Sequence, residues 1–110
     1  MSTFIKILGT SAGGGLPQWN CRCRYCGMAR KGVIPKRTQS SIALVNGNSY
    51  TLVNASPDIS NQLLYLDRSP DLRKNPMANI ILTDAQLDHT LGLLQIREGL
   101  HSQMYKCRSF

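Results

Sequence analysis

The stretch that most restricts the fold of this chain is Asn79–Leu93, where a short apolar run changes abruptly into polar side chains that can bind metal ions. Ile80, Ile81 and Leu82 have the length and composition of a buried strand. Leucines then recur at the spacing of a helix that packs back onto a sheet. A strand that passes through polar residues into a helix places chemistry at a sheet edge, and this pattern predicts an α/β (α+β) fold.

The loop after this strand offers two carboxylates, one amide and one imidazole within six residues. They belong to Asp84, Gln86, Asp88 and His89. Oxygen and nitrogen donors without sulfur suit iron, manganese or zinc. A simpler interpretation also fits, in which an aspartate caps the following helix and His89 lies in its first turn. The pattern alone leaves both interpretations open, so these residues are a candidate metal loop.

A second candidate metal site lies in the segment CRCRYC at residues 21–26. Its thiols are those of Cys21, Cys23 and Cys26. At this spacing three thiols can surround one tetrahedral ion, and zinc is the natural occupant as a structural ion. Arg22 and Arg24 would help to keep the thiols ionised. Unrelated reduced cysteines and a redox C-x-x-C pair are the alternatives. The candidates for a fourth ligand are His101 and Cys107.

The formal net charge of +7 is unevenly distributed. No acidic residue precedes Asp58, whereas the following bases do: Lys6, Arg22, Arg24, Arg30, Lys31, Lys36 and Arg37. A basic region of this kind can attract an anionic ligand, a nucleic acid or an acidic partner, or it can be a solvated loop.

The remaining patterns predict one small domain without a membrane span or secretion signal, so the cytoplasm is the expected location. A strand at Phe4–Leu8 runs into a glycine-rich turn that has neither phosphate-loop nor dinucleotide spacing, and we interpret this turn as a tight strand exit beside a site. The other predicted segments are a connector at Gly27–Arg37, a hairpin of Ser40–Val45 and Ser49–Val53, a helix starting at Ser56, a loop at Arg68–Pro76, a helix ending at Gly99 and a strand at Met104–Cys107.

Four motifs, in order, carry a resemblance to a known family: GTSAGGGLPQWNCRCRYC, RTQSSIA, NASPDI and TDAQLDHTLGLLQIREGL. They resemble the coenzyme PQQ synthesis protein B family of the metallo-β-lactamase-like superfamily. The similarity extends from Phe4 to about Leu100. It implies a four-layer αββα sandwich, of which residues 1–110 form the N-terminal part of a single, incomplete domain.

The resemblance also assigns roles to the candidate ligands. The superfamily metal loop is H-x-H-x-D-H, and only Asp88 and His89 match it, as the implied catalytic metal ligands. Asp84 and Gln86 replace two histidines, which argues against an intact two-zinc hydrolase site. A mononuclear site such as a non-haem iron centre fits better. The cysteine triplet resembles the structural zinc site of related phosphodiesterase-like proteins, whose fourth ligand would then lie beyond Phe110.

Two functions follow from the resemblance. One is an enzyme of pyrroloquinoline quinone biosynthesis that hydroxylates a tyrosine-containing peptide precursor with iron. The other is a non-catalytic carrier in the transport of the quinone or its precursor to the periplasm. Expected partners are the quinone or its precursor, other proteins of the pathway and a second copy of the chain. A zinc-ribbon nucleic-acid module is disfavoured, because a second cysteine pair is missing and aromatic residues are few.

Overall fold

The computed structural model describes residues 3–47, 49–66, 77–96 and 103–106. Within them, five strands form one sheet in chain order. The strands are β1 (Thr3–Gly9), β2 (Ser41–Asn46), β3 (Ser49–Val53), β4 (Met77–Leu82) and β5 (Gln103–Lys106). The helices are α1 (Arg24–Arg30), α2 (Ile59–Leu63) and α3 (Leu87–Thr90), and a 3-10 helix (Leu91–Leu94) follows α3. This mixed composition confirms the predicted fold class.

The sheet is antiparallel at one side and parallel at the other. β1, β2 and β3 are antiparallel neighbours, whereas β3, β4 and β5 run parallel. The predicted hairpin is confirmed, since Asn46 pairs with Ser49 across the turn. Gly47 supplies the positive φ of 62° that such a short turn requires. The parallel half directs the ends of β3 and β4 to the same edge of the sheet.

The core lies on one face of the sheet, where alternate strand residues meet α2. Leu52 and Ala43 are fully buried on this face, together with Ile59 of α2. Ile80 and Leu82 extend the same face into β4. Burying the leucine and isoleucine side chains contributes about 1.5–3 kcal/mol each. This packing fixes the strand that leads into the candidate metal loop.

The predicted connector at Gly27–Arg37 is wrong in its first part, because α1 occupies Arg24–Arg30. Cys26 and Ala29, three residues apart, are buried and anchor the helix. The Cys23 side chain caps its N-terminus by accepting from the Cys26 N–H. A thiol is not among the usual capping residues, and Gly27 is a poor helix former, so local patterns hardly indicate a helix here.

The predicted helix at Ser56 begins three residues later, at Ile59. Its buried face differs from the expected apolar one, because Gln62 is 2% exposed whereas Leu64 is 75% exposed. The Gln62 amide is buried because it has partners, donating to Gln39 O and Thr38 Oγ1 and accepting from Ser56 Oγ. A pattern of apolar residues could not predict that Gln62 is buried and Leu64 is exposed.

The helix predicted after the metal loop is shorter than expected, since α3 changes into the 3-10 helix at Leu91. Residues 97–99 of that prediction, the loop at Arg68–Pro76, His101 and Cys107 lie outside the described residues. The predicted last strand is confirmed as β5, one residue earlier at each end. Among the described residues, no helix is long and apolar enough to cross a membrane.

Candidate metal sites

The end of β4 is tied to the end of β3 by one asparagine. Asn54 directly follows β3 and adopts a positive φ of 67°. Its Oδ1 accepts hydrogen bonds from Thr83 N–H (3.0 Å) and Thr83 Oγ–H (3.1 Å). Asparagine is one of the few residues that tolerate left-handed backbone, since its side chain bonds nearby groups. The start of the metal loop is therefore held against the neighbouring strand.

The short helix α3 is held to the same turn through backbone contacts. Ala55 N–H donates to His89 O (2.7 Å), and Gly92 N–H donates to Ala55 O (3.0 Å). A Cβ at Gly92 would lie 2.2 Å from Ser56 O, so only glycine allows this approach. The segment that follows β3 therefore holds the backbone of His89 in place.

His89 lies between two carboxylates. Its Nδ1 is 2.6 Å from Asp84 Oδ1, and its Nε2 is 3.6 Å from Asp88 Oδ2. The side chains of His89 and Asp88 are mostly buried, at 17% and 22% exposure. Gln86 N–H also donates to Asp84 Oδ1 (3.0 Å). The structure therefore brings together three of the four predicted loop residues.

These contacts determine the proton positions. An ionised carboxylate only accepts hydrogen bonds, so the proton of His89 lies on Nδ1, facing Asp84. The N–H of Gln86, and then the His89 side chain, hold the pKa of the Asp84 carboxyl below its ordinary value. In the neutral imidazole, Nε2 is then an acceptor that faces another acceptor, Asp88 Oδ2. Two acceptor atoms at this distance repel each other, and a proton or a cation between them removes the repulsion.

His89 Nε2 and Asp88 Oδ2 are separated by about the distance between two ligand atoms on one metal ion. Two ligand atoms at about 2.1 Å from a tetrahedral ion are about 3.4 Å apart. The Nε2–Oδ2 separation of 3.6 Å is close to that value. Asp88 and His89 therefore fit as two ligands of one ion. Asp84 fits as the carboxylate behind the histidine that fixes its tautomer and orientation.

Gln86 differs from its three neighbours in the loop. Its side chain is exposed and makes no hydrogen bond to another described residue. Its backbone instead starts α3, accepting from His89 N–H and Thr90 Oγ–H. The helix-cap interpretation is correct in placing His89 in the first turn of the helix, but the N-cap residue is Gln86, without a side-chain cap, and not an aspartate. Among the described residues, the loop does not gather three metal-ligand atoms at one point.

The glycine-rich turn lies beside the metal loop, as interpreted from the sequence. A Cβ at Gly13 would be 3.3 Å from Asp88 Cγ and 3.3 Å from Asp88 Oδ2. Gly14 and Gly15 have positive φ values of 94° and 79°, which let the turn bend back towards the sheet. The backbone of Gly13 therefore forms a wall next to the Asp88 carboxylate.

The predicted cysteine site has the geometry of a metal site. The sulfur atoms of Cys21, Cys23 and Cys26 all lie within 4.8 Å of one another. Ligand sulfurs on one tetrahedral zinc ion are about 3.8 Å apart, so a small adjustment suffices. Cys26 is buried in α1, and Cys23 occupies the N-cap position. Because the helix fixes two of the three sulfurs, the site is largely preformed.

The cysteine triplet also favours a thiolate. The backbone N–H of Cys26 and hydrogen bonds from the Cys21 and Cys26 thiols lower the pKa of Cys23 from 9.0 to about 7. A backbone hydrogen bond from Gln18 lowers the pKa of Cys26, but burial and the other two thiols outweigh it and raise that pKa. The predicted help from Arg22 and Arg24 is not among these causes. The helix N-terminus has that role instead.

Sequence reasoning missed the residues that support the sites. Asn54 and Gly92 hold the metal loop, and both look like ordinary turn residues in the sequence. The signal for Asn54 was a strand followed by asparagine, which is common to many loops. The approach of Gly92 to Ser56 depends on tertiary packing that no local pattern records.

Comparison with known proteins gives these sites a family context. The beta-lactamase superfamily domain matches residues 50–109. Coenzyme PQQ synthesis protein B of Klebsiella pneumoniae (strain 342) is 51% identical over 108 residues, covering 93% of this chain and 35% of that protein. Its counterpart in Acinetobacter baylyi is 49% identical over 112 residues, covering 93% and 36%. The chain thus spans about a third of the length of the curated relatives it matches.

Solved structures agree on the fold. Zn²⁺-bound PqqB from Methylobacterium extorquens matches with a TM-score of 0.89 at 41% identity, covering 98% of this chain and 38% of that one. A diphosphatase of the PhnP family matches with a TM-score of 0.69 at 24% identity, covering 88% and 35%. The chain therefore has the fold of the N-terminal part of a metallo-β-lactamase-like sandwich, as expected from the sequence motifs.

Proposed function

The chain belongs to the beta-lactamase superfamily and, within it, to the coenzyme PQQ synthesis protein B family, and from this premise we propose that it is part of a metal-dependent enzyme of pyrroloquinoline quinone biosynthesis. The observation that carries the proposal is the arrangement of His89 between Asp84 and Asp88 at the end of β4. An imidazole with one nitrogen fixed and the other facing a carboxylate is typical of a metal ligand.

The two sites have different roles in this proposal. Asp88 and His89 hold the catalytic ion, and Asp84 orients His89. Cys21, Cys23 and Cys26 hold a structural zinc ion that stabilises the segment before α1. Asp88 and His89 would hold an iron ion, which would supply oxygen activation when bound. The reaction we propose is the hydroxylation of a tyrosine-containing peptide precursor of the quinone, in which one atom of O2 replaces a hydrogen of the ring and the other leaves as water, with two electrons and two protons taken from an external reductant.

The charge of the chain supports an anionic ligand. The bases of the segment between β1 and β2 are exposed: Arg22, Arg24, Arg30, Lys31, Lys36 and Arg37. None of them forms an ion pair with a carboxylate among the described residues. A polycarboxylate such as the quinone would be attracted to this segment. A carrier of the quinone would benefit from the same attraction. The charge therefore supports an anionic ligand and does not distinguish the enzyme from the carrier.

Oxygen consumption by the full-length, iron-loaded protein with a tyrosine-containing peptide and an added reductant tests the proposal, with the rate without peptide subtracted. We expect His89→Ala to abolish peptide-dependent oxygen uptake and to remove the iron. Cys23→Ser is the matched control, and we expect it to lose zinc while the iron stays bound. Quinone binding that survives His89→Ala, with no turnover by the wild-type protein, would contradict the enzyme and favour the carrier.

A further inference from the structure

A partly buried polar cluster connects the glycine-rich turn to α2. Gln39 is 8% exposed, and its backbone N–H and side-chain Nε2 both donate to Asp58 Oδ2 (2.9 and 3.2 Å). The other end of the same amide, Oε1, accepts from Gly14 N–H (3.1 Å). Asp58 occupies the N-cap position of α2 without capping it. Its carboxylate is therefore committed to Gln39 and not to the helix.

A second set of contacts holds the segment that carries Gln39. Gln62 Nε2 donates to Gln39 O (2.8 Å) and Thr38 Oγ1 (2.9 Å). Thr38 O accepts from Thr10 N–H (3.1 Å) and Ser11 N–H (2.9 Å) at the start of the glycine-rich turn. Among the described residues, no buried side-chain nitrogen or oxygen lacks a hydrogen-bond partner. A fully satisfied buried network of this kind fixes one backbone arrangement.

The turn that this network holds ends against the candidate catalytic site. A Cβ on Gly13 would lie 3.3 Å from Asp88 Oδ2, the atom that faces His89 Nε2. That distance is shorter than an ordinary van der Waals contact, so the carboxylate fits beside the turn only because residue 13 has no side chain. A movement of the turn would therefore change the arrangement of the two proposed ligands.

We infer that Gln39 and Asp58 are positioning residues for the Asp88–His89 site, because they hold the glycine-rich turn beside Asp88. Gln39 connects Asp58 to the turn, since it donates to Asp58 on one side and accepts from Gly14 N–H on the other. Gly13 then forms the wall that restricts Asp88, and its lack of a side chain leaves room for the carboxylate. The inference rests on the metal site of the proposed function and is independent of the reaction.

A purely stabilising role for the same contacts makes a different prediction. If Asp58 and Gln39 only attach α2 to the sheet, their replacement lowers the stability of the fold, as a defect in the core beside α2 would, and leaves metal affinity unchanged. If they position the turn, their loss also weakens metal binding at Asp88 and His89. Supporting residues behind metal ligands change metal affinity by about 10–100-fold. Ile59→Val provides the comparison, because Ile59 is fully buried in α2 and makes no polar contact in the network.

Zinc titration of the full-length protein, with the cysteine site already filled, distinguishes the two roles. We expect Gln39→Ala to weaken zinc binding at the second site by about tenfold and to speed hydrogen exchange of the Gly14 amide. Asp58→Asn keeps an acceptor oxygen and should restore most of the affinity that Asp58→Ala loses. Ile59→Val should lower the melting temperature and leave both measurements unchanged.

Gly13→Ala tests the wall directly. The backbone at Gly13 does not lie in the left-handed region, so alanine adds a methyl group without backbone strain. We expect weaker zinc binding at an unchanged melting temperature. Gly27→Ala is the control, since a Cβ there meets nothing within 4 Å.

Two results would be contrary, and they differ in meaning. If Gln39→Ala and Gly13→Ala both bind zinc with wild-type affinity, the positioning inference is wrong while the proposed metal site stands. A wild-type protein that binds no zinc outside the cysteines would contradict the proposed metal site and the inference with it.

Discussion

At the scale of single residues, Asp84 links the candidate site to pH. Its folded pKa is lowered by the Gln86 N–H and then by His89. The unfolded group protonates at about pH 3.9, so its stabilising contribution is complete above that value and is lost as the pH falls through the lower folded pKa. We expect Asp84→Asn to flatten the acid side of the stability curve. Urea unfolding between about pH 2.5 and pH 6 measures the free energy of unfolding of both proteins as a function of pH. The same pH dependence in both would contradict the lowered pKa of Asp84.

Asn54 is the second residue whose replacement has a specific expected cost. Asn54→Ala removes two hydrogen bonds to Thr83, at about 1 kcal/mol each. It also places alanine at positive φ, which costs about 1–2 kcal/mol. Asn54→Gly removes the same bonds without the backbone strain and should lose less stability. Denaturant unfolding of both variants checks the order, and a more stable alanine variant would be the contrary result.

The residue scale also shows where sequence reasoning stops. The residues of the candidate metal loop were selected because two carboxylates, an amide and an imidazole lie within six residues, and only the resemblance to a known family favoured a metal site over a helix cap. Their separate roles were not, because the sequence cannot show that Asp84 binds Nδ1 while Asp88 faces Nε2. Gln86 and Asp84 are equivalent in the pattern and differ in the structure only because the loop turns between them.

At the scale of secondary-structure elements, the close packing of the 3-10 helix on the β3–α2 turn is the critical contact. We expect Gly92→Ala to cost on the order of 3 kcal/mol, because its Cβ would lie 2.2 Å from Ser56 O. Gly27→Ala, in α1 where a Cβ meets nothing within 4 Å, should instead stabilise the protein by up to about 1 kcal/mol. Thermal unfolding of the pair measures both changes. Similar melting temperatures for the two variants would contradict the packing.

Strands were predicted better than helices, for a physical reason. The strands have strong local signals, namely β-branched runs and the Asn46–Gly47 turn. Their ends lie within one residue of the expected positions, except that β4 begins at Met77, three residues before Ile80. The helices are short and depend on tertiary partners. α1 is stabilised by buried Cys26 and Ala29, and α2 buries Gln62 through hydrogen bonds. Helices of four to seven residues have little intrinsic stability, so local patterns cannot locate them reliably.

At the scale of the whole molecule, the second face of the sheet is notable for exposed apolar side chains. Ile5 and Ile7 of β1 are 62% and 65% exposed, and they pair with Leu44 and Ile42 of β2 on the face opposite the core. In a four-layer sandwich, each sheet packs a second sheet on the face away from its helices. The chain spans about a third of its relatives, so this face is the expected position of the second sheet.

This assignment predicts different costs for two equally exposed residues. Ile7 and Val33 are each 65% exposed in this chain. In the full-length protein, Ile7→Ala should cost about 2 kcal/mol or more because the second sheet buries it. Val33→Ala lies outside that face and should change stability by less than about 0.5 kcal/mol. Denaturant unfolding compares the two, and equal small effects would contradict the location of the second sheet.

The metal content of the full-length protein in three forms is the most direct test of the account. The wild-type protein should bind metal at two separable sites, with roughly one ion in the cysteine site. Cys23→Ser should lose the cysteine-bound ion alone, and His89→Ala should lose the other alone. Unchanged metal content and affinity in His89→Ala would contradict the central claim that the loop after β4 holds a catalytic metal ion.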